Sequence, residues 1–222
     1  MSDSPRRLPK RLSLSDGVYD EIMARLFDDS LEPGASLNID ALAREMDVSQ
    51  TPIREALARL EYTGLVARTA LKGYRVAAVL TPRELTDLLD VRAILEPENA
   101  RRAASNVTPA FLAKLAESIE HLAAAPKGPS FPEYHAYWAA DEHFHDLIAR
   151  QADNAFLYRA FDTLGGQARF RQYGGLSVTD AAFALDEHQA VLAALESGGP
   201  ESAFQAMSRH VHNVRDRALG RI

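Results

Sequence analysis

The sequence predicts a mostly α-helical chain in two parts: three short helices with a β-hairpin, then an all-α antiparallel bundle of six longer helices. Three observations predict it. Apolar residues recur at helical spacing in three short segments before residue 63 and in six longer ones after residue 82. Residues 65–69 and 74–79 form the one pair of β-prone runs, arranged around Leu71-Lys72-Gly73. The long segments are joined by short connectors such as Pro126-Lys127-Gly128-Pro129 and Gly198-Gly199-Pro200, so neighbouring helices must run back and forth.

Composition bounds the function classes. At 222 residues, 46% hydrophobic and 25% charged, the chain has enough length and apolar content for two domains. It has no cysteine, which removes disulfides and thiolate metal sites. No apolar run reaches membrane-spanning length, and the basic N-terminus lacks a following apolar core, so the chain is expected in the cytoplasm without a membrane partner. The net charge of −6 does not advertise nucleic-acid binding. Charge is uneven, however: Arg6, Arg7, Lys10 and Arg11 face only Asp3 in a basic arm spanning residues 1–12. Such an arm can meet phosphate while acidic groups beyond a Debye length of about 10 Å are screened.

Residues 13–80 read as the first domain. Val18, Ile22 and Leu26 mark a helix ending near Asp28-Asp29-Ser30, and Leu31-Glu32-Pro33-Gly34 is a turn. Asn38 is a natural cap for a second helix with Leu42 and Met46 inward. Ser49 caps a third, where Pro52 sits in the first turn and costs no intrahelical hydrogen bond. There Ile53, Leu57 and Leu60 turn inward, leaving Gln50, Thr51 and Arg54 free at the N-terminal end. Such a helix suits the major groove, since its first residues reach base edges and phosphates. With the hairpin after it the order is that of a winged helix-turn-helix, and Lys72, Gly73 and Arg75 lie where a wing would meet DNA.

This stretch resembles the DNA-binding domain of the GntR family of bacterial transcription regulators. The resemblance runs over residues 14–79 and rests on Leu31-Glu32-Pro33-Gly34, Leu42-Ala43, residues 48–57, Leu60 and Gly64-Leu65-Val66. It implies DNA contacts from Ser49, Gln50, Thr51 and Arg54, and from Gly73 in the wing. Many members carry Arg where this chain has Gln50, and some carry a basic residue near Asp40. Gln50 would pair with adenine, whereas Arg would favour guanine.

Residues 81–222 read as the bundle, with helices over 83–105, 109–125, 131–152, 154–173, 179–197 and 201–219. Its polar residues fall on apolar faces. In the third of these helices Tyr134, Tyr137, Trp138, Phe144 and Ile148 mark the inward stripe, and Asp141 and His145 lie within it. His188 lies among Ala184, Val191, Leu192 and Leu195, and His210 among Ala203, Met207 and Val214. One buried histidine is ordinarily a core residue with a hydrogen bond. Three with a carboxylate are explained better by a divalent cation, because an isolated buried carboxylate costs several kcal/mol. An oxygen and three imidazole nitrogens suit Zn²⁺, Ni²⁺ or Mn²⁺ and leave room for a further ligand.

The spacing Asp141-x-x-Phe144-His145-x-x-Ile148, with Glu187-His188 and Met207-x-x-His210, is similar to that of the FCD ligand-binding domain in the FadR/VanR-type branch of the same family. The resemblance implies that Asp141, His145, His188 and His210 are the metal ligands. On the first bundle helix Arg92 shares the apolar stripe with Glu96 one turn on. It either straps the helix through an i,i+4 pair or reaches a cavity to hold a carboxylate, which its planar fork matches. Gln167 and Arg171 are further candidates to line that space.

These readings point to a homodimeric, non-enzymatic transcription regulator, a repressor by the commoner mode of the family. It would bind double-stranded operator DNA and respond to a small carboxylate effector at a metal site. Two alternatives stay open, a metal-dependent hydrolase and a DNA-binding regulator with a purely structural metal. The hydrolase lacks an evident general base beside the metal, since Glu187 and His188 are adjacent and project in different directions.

Overall fold

A computed structural model of the chain describes residues 13–27, 30–70, 73–125, 131–164 and 178–220. The first helix, α1 (Leu14–Phe27), begins a turn earlier than its apolar periodicity predicts. Ser13 explains the extension: its hydroxyl accepts the Asp16 N–H at 3.2 Å while the Asp16 carboxylate accepts the Ser13 N–H at 3.1 Å. Asn38 caps α2 (Ile39–Glu45) by accepting the Ala41 N–H at 2.9 Å. Asp47 makes the turn to the next helix in a left-handed conformation, φ 50°, which Asp tolerates better than most residues. Ser49 holds the N-cap position of α3 (Gln50–Tyr62) without a side-chain capping hydrogen bond.

Val18, Ile22, Leu26, Ile53, Leu57, Leu60 and Val76 bury together, so α1, α3 and the sheet share one core. The sheet has a strand that the sequence reading lacks. A two-residue strand β1 (Ser36–Leu37) pairs antiparallel with β3 (Gly73–Val76), which pairs on its other side with β2 (Val66–Thr69). Two residues are too few for alternation to register in a sequence, yet they lock the turn to the hairpin: the Gly34 N–H donates to the Val76 carbonyl at 3.0 Å.

Six helices follow among the described residues: α4 (Pro82–Ser105), α5 (Pro109–Ala124), α6 (Phe131–Gln151), α7 (Ala155–Asp162), α8 (Val178–Ser197) and α9 (Gly199–Leu219). Thr81 starts α4 with a capping box, its hydroxyl accepting the Glu84 N–H while the Glu84 carboxylate accepts the Thr81 N–H. The expected fourth bundle helix is described as α7 only to Asp162, and Gln167 and Arg171 lie outside the described residues. So do the side chains of Tyr134 and Trp138.

The bundle interior has two apolar clusters. One holds Ala100, Ala103, Phe144, Ile148, Val191, Met207 and Val211, and the other Leu85, Leu89, Tyr137, Val214 and Ala218. Between them along α4, α6, α8 and α9 lies a buried polar layer of Arg92, Glu96, Asn99, Asp141, His145, His188 and His210. A core that interrupts its own apolar packing with seven polar side chains carries a desolvation cost that the site chemistry must offset.

The two parts touch. The Tyr62 hydroxyl at the end of α3 donates to Asp162 Oδ2 of α7 at 2.5 Å.

Candidate metal centre and nucleic-acid interface

Each imidazole enters the polar layer from a different helix. His145 comes from α6, His188 from α8 and His210 from α9, and their nearest ring nitrogens all lie within 4.8 Å of one another. His145 Nε2 and His210 Nε2 are 3.3 Å apart. Two nitrogens each about 2.0–2.1 Å from one ion at a tetrahedral angle would be roughly 3.4 Å apart, so the spacing fits a shared cation. Asp141 is less closely drawn in. Its Oδ1 lies 3.5 Å from His188 Nε2, but it does not join the three imidazoles in the mutually close set.

A carboxylate stands behind each of two rings, through a hydrogen bond at His210 and through ion-pair proximity at His145. Glu96 Oε2 lies 2.7 Å from His145 Nδ1, and Glu187 Oε2 accepts from His210 Nδ1 at 2.8 Å. An Nδ1 that carries the proton leaves the Nε2 lone pair free, and both Nε2 atoms then point at the same place. Burial opposes the ionisation of Glu96, but Arg92 and His145 hold its carboxyl well below the usual range. Burial also opposes that of Glu187, yet hydrogen bonds from Arg217, His210 and Asn213 bring it down to about 2. Both carboxylates therefore stay charged against their rings.

His188 tests whether a cation fits. The ring is wholly buried and stacks on Phe144 at 4.1 Å, and among the described residues neither of its nitrogens has a hydrogen-bond partner. A neutral imidazole presents one N–H and one lone pair, and a buried unmet group costs about 1–3 kcal/mol. Protonation is no remedy, since desolvation and the neighbouring His210 and His145 push its pKa well below the ordinary value. A metal ion would take the lone pair and give the layer its missing counter-charge. The donor set of imidazole nitrogens with a nearby carboxylate suits Zn²⁺, Ni²⁺ or Mn²⁺ without selecting among them.

Sequence reasoning missed Glu96 and Glu187 as positioning residues. Along the sequence Glu96 shows itself as a strap for Arg92, and Glu187 as a neighbour of His188 that projects away from it. The strap exists, with Arg92 Nε 2.5 Å from Glu96 Oε1 and both residues buried. The other carboxylate oxygen of Glu96 turns to His145. Glu187 does project away from His188, and so reaches His210 on the next helix. Replacing Glu187 with Gln is expected to weaken metal affinity about 10–100-fold, as outer-shell partners of ligating histidines do, measured by competition with a chromogenic chelator.

At the other end of the chain, Ser49, Gln50, Thr51 and Arg54 are exposed around the start of α3. Gln50 is held at both ends of its amide: Nε2 donates to Asp40 Oδ1 at 2.5 Å and Oε1 accepts from Arg54 Nη2 at 3.1 Å. Gly73 takes φ 78° at the start of β3, a conformation that favours glycine. Arg75 is exposed on the central strand and donates to the Gly34 carbonyl at 2.9 Å, while Lys72 lies outside the described residues.

The comparisons with known proteins bear on the two parts of the chain and their fold. The family described as "Bacterial regulatory proteins, gntR family" matches residues 14–76, and the FCD domain family matches residues 87–213. The "Probable D-xylose utilization operon transcriptional repressor" of Paenarthrobacter nicotinovorans is 29% identical over 95% of this chain and 91% of its own. The "Nta operon transcriptional regulator" of Aminobacter aminovorans is 31% identical over 64% of this chain and 65% of its own. Among solved structures, E. coli McbR/YncC matches with a TM-score of 0.71 at 23% identity, covering 95% of this chain and 99% of that one, which establishes likeness of fold.

Proposed function

The chain belongs to the GntR family of bacterial transcription regulators, with an FCD domain after its DNA-binding domain, and from that premise we propose that it is a metal-dependent, acid-sensing repressor. Asp141, His145, His188 and His210 would hold one divalent ion, which supplies a fixed positive charge with positions open to a ligand. A small organic acid would bind against this layer with its carboxylate on Arg92. Two copies would grip a two-fold operator through Ser49, Gln50, Thr51 and Arg54, with Lys72, Gly73 and Arg75 at the wing. The repressor mode is supported by the name of the Paenarthrobacter relative.

The observation that carries the reading is the meeting of three buried imidazoles from three helices, one with no partner for either nitrogen among the described residues, beside a buried guanidinium. A hydrolytic reading finds less support. The carboxylates nearest the rings, Glu96 and Glu187, are already committed to Nδ1 atoms and to arginines, so neither is placed to take a proton from a metal-bound water. No helix among the described residues is long and apolar enough to cross a membrane.

The test uses duplexes selected in vitro from random sequence as operator, and a panel of mono-, hydroxy- and dicarboxylic acids. An acid of the panel is expected to change operator affinity about 5–150-fold in metal-loaded protein and to have no effect after chelation. An acid response that survives chelation would overturn the metal-dependent reading. Unfolding on chelation, with no acid response in the loaded protein, would leave the metal a structural role only.

A further inference from the structure

A cavity of about 380 Å³ opens between α4, α6 and α7, and none of the three clustered imidazoles lines it. Its α6 wall is built from Glu142, His143, Asp146 and Arg150, a face turned on average more than about 100° from Asp141 and His145 at 3.6 residues per turn, with Glu142 at its near edge about 60° from His145. Arg92 and Glu96 are the partition, lining the cavity on one side while Glu96 meets His145 on the other.

The charges of this wall do not cancel. Arg92 pairs with Glu96 at 2.5 Å and Arg150 with Asp146 at 2.6 Å. That leaves Glu142, which has no hydrogen bond or ion pair among the described residues, and Asp162, which among the described residues accepts the neutral hydroxyl of Tyr62 and has no ion pair within 4 Å, Arg150 acting on it only from farther off. Against this acidic excess stands, among the described residues, an unspent donor: Arg92 is 3% exposed, yet its Nη1 has no hydrogen-bond partner there. A buried guanidinium N–H asks for an anionic acceptor, and unpaired carboxylates ask for a cation.

We propose that this cavity binds a small zwitterion, an amino-bearing carboxylic acid whose carboxylate takes Arg92 Nη1 and whose ammonium is met by Glu142 and Asp162. The inference rests on the acid-sensing reading above and narrows its ligand class; the acid then meets the metal layer through the shared Arg92–Glu96–His145 contacts rather than by touching the ion. It also gives binding a route to DNA. Asp162 is the residue that anchors Tyr62 at the end of the recognition helix, so an ammonium that draws this carboxylate inward competes for the link between the two parts of the chain. Ligand would then shift the arrangement of the DNA-binding part by its differential affinity for the linked and released forms.

The test is calorimetric titration of metal-loaded, full-length protein with matched pairs: alanine and β-alanine against propionate, γ-aminobutyrate against butyrate, glutamate against glutarate. At least one amino acid is expected to bind about tenfold or more tightly than its amine-free counterpart, the scale of one charge-assisted contact. Glu142→Gln should remove most of that preference while leaving affinity for the amine-free acid near the parent value. Equal binding of both members of every pair overturns the inference but leaves the acid-sensing reading standing. If no acid of either kind binds, both fall together. Retention of the full preference in E142Q also overturns the assignment of the ammonium site.

Discussion

Replacing His188 with alanine is expected to weaken metal binding on the order of a thousandfold, beyond the roughly 10–100-fold that loss of an outer-shell partner costs. His188 is wholly buried, faces Asp141 at 3.5 Å and stacks on Phe144, so its loss removes a donor from the interior of the site. At a metal concentration a thousand times the parent dissociation constant, the parent gains about 4 kcal/mol of stability from the ion and the variant almost none. For a domain of this size that difference corresponds to roughly 10 °C in melting temperature. The informative comparison is between loaded and chelated samples of each protein, because the substitution also removes ring packing. The parent should show the metal-dependent increment and H188A should lack it. A variant that binds one equivalent with the parent affinity would remove His188 from the site.

The second large effect lies at the other end of the chain. Arg54→Ala is expected to weaken binding to all duplexes and to lower the salt slope by about one if the guanidinium neutralises a phosphate. Gln50→Ala should instead relax choice at one base pair, a loss of about 1–3 kcal/mol of discrimination. The structure links the two residues, since Arg54 donates to the Gln50 amide, whose other end is taken by Asp40. The effects should therefore be non-additive, and a double-mutant cycle in fluorescence anisotropy should show coupling above the roughly 0.5 kcal/mol seen between independent sites. Two variants that bind the selected operator like the parent would exclude this end of α3 from the interface.

Much of this was legible in the sequence, for particular physical reasons. The inward set Ile53, Leu57 and Leu60 is fully buried because a 13-residue helix with apolar groups on one face has a single way to lie on a core. His145, His188 and His210 were readable as inward because each interrupts an apolar stripe, and a helix face is a local property. What stayed hidden depends on contacts between helices. Glu187 looked misplaced beside His188, and only the packing of α8 against α9 brings it to His210. Glu96 carries two partners, and the sequence displays only the one four residues away. The cavity charge was likewise invisible, since Glu142 and Asp162 belong to different helices and the residues that fail to pair with them cannot be read from either helix alone. Strand β1 escaped because two residues carry no period.

The claim beneath all of these expectations is that three imidazoles from α6, α8 and α9 bind one ion together. X-ray absorption at the metal edge tests it most directly, on full-length protein loaded with one equivalent of Zn²⁺. The expected result is a first shell of nitrogen and oxygen at about 2.0–2.1 Å, with the outer-shell scattering of about three imidazole rings. A shell of oxygen alone, or one with a single ring, would contradict it.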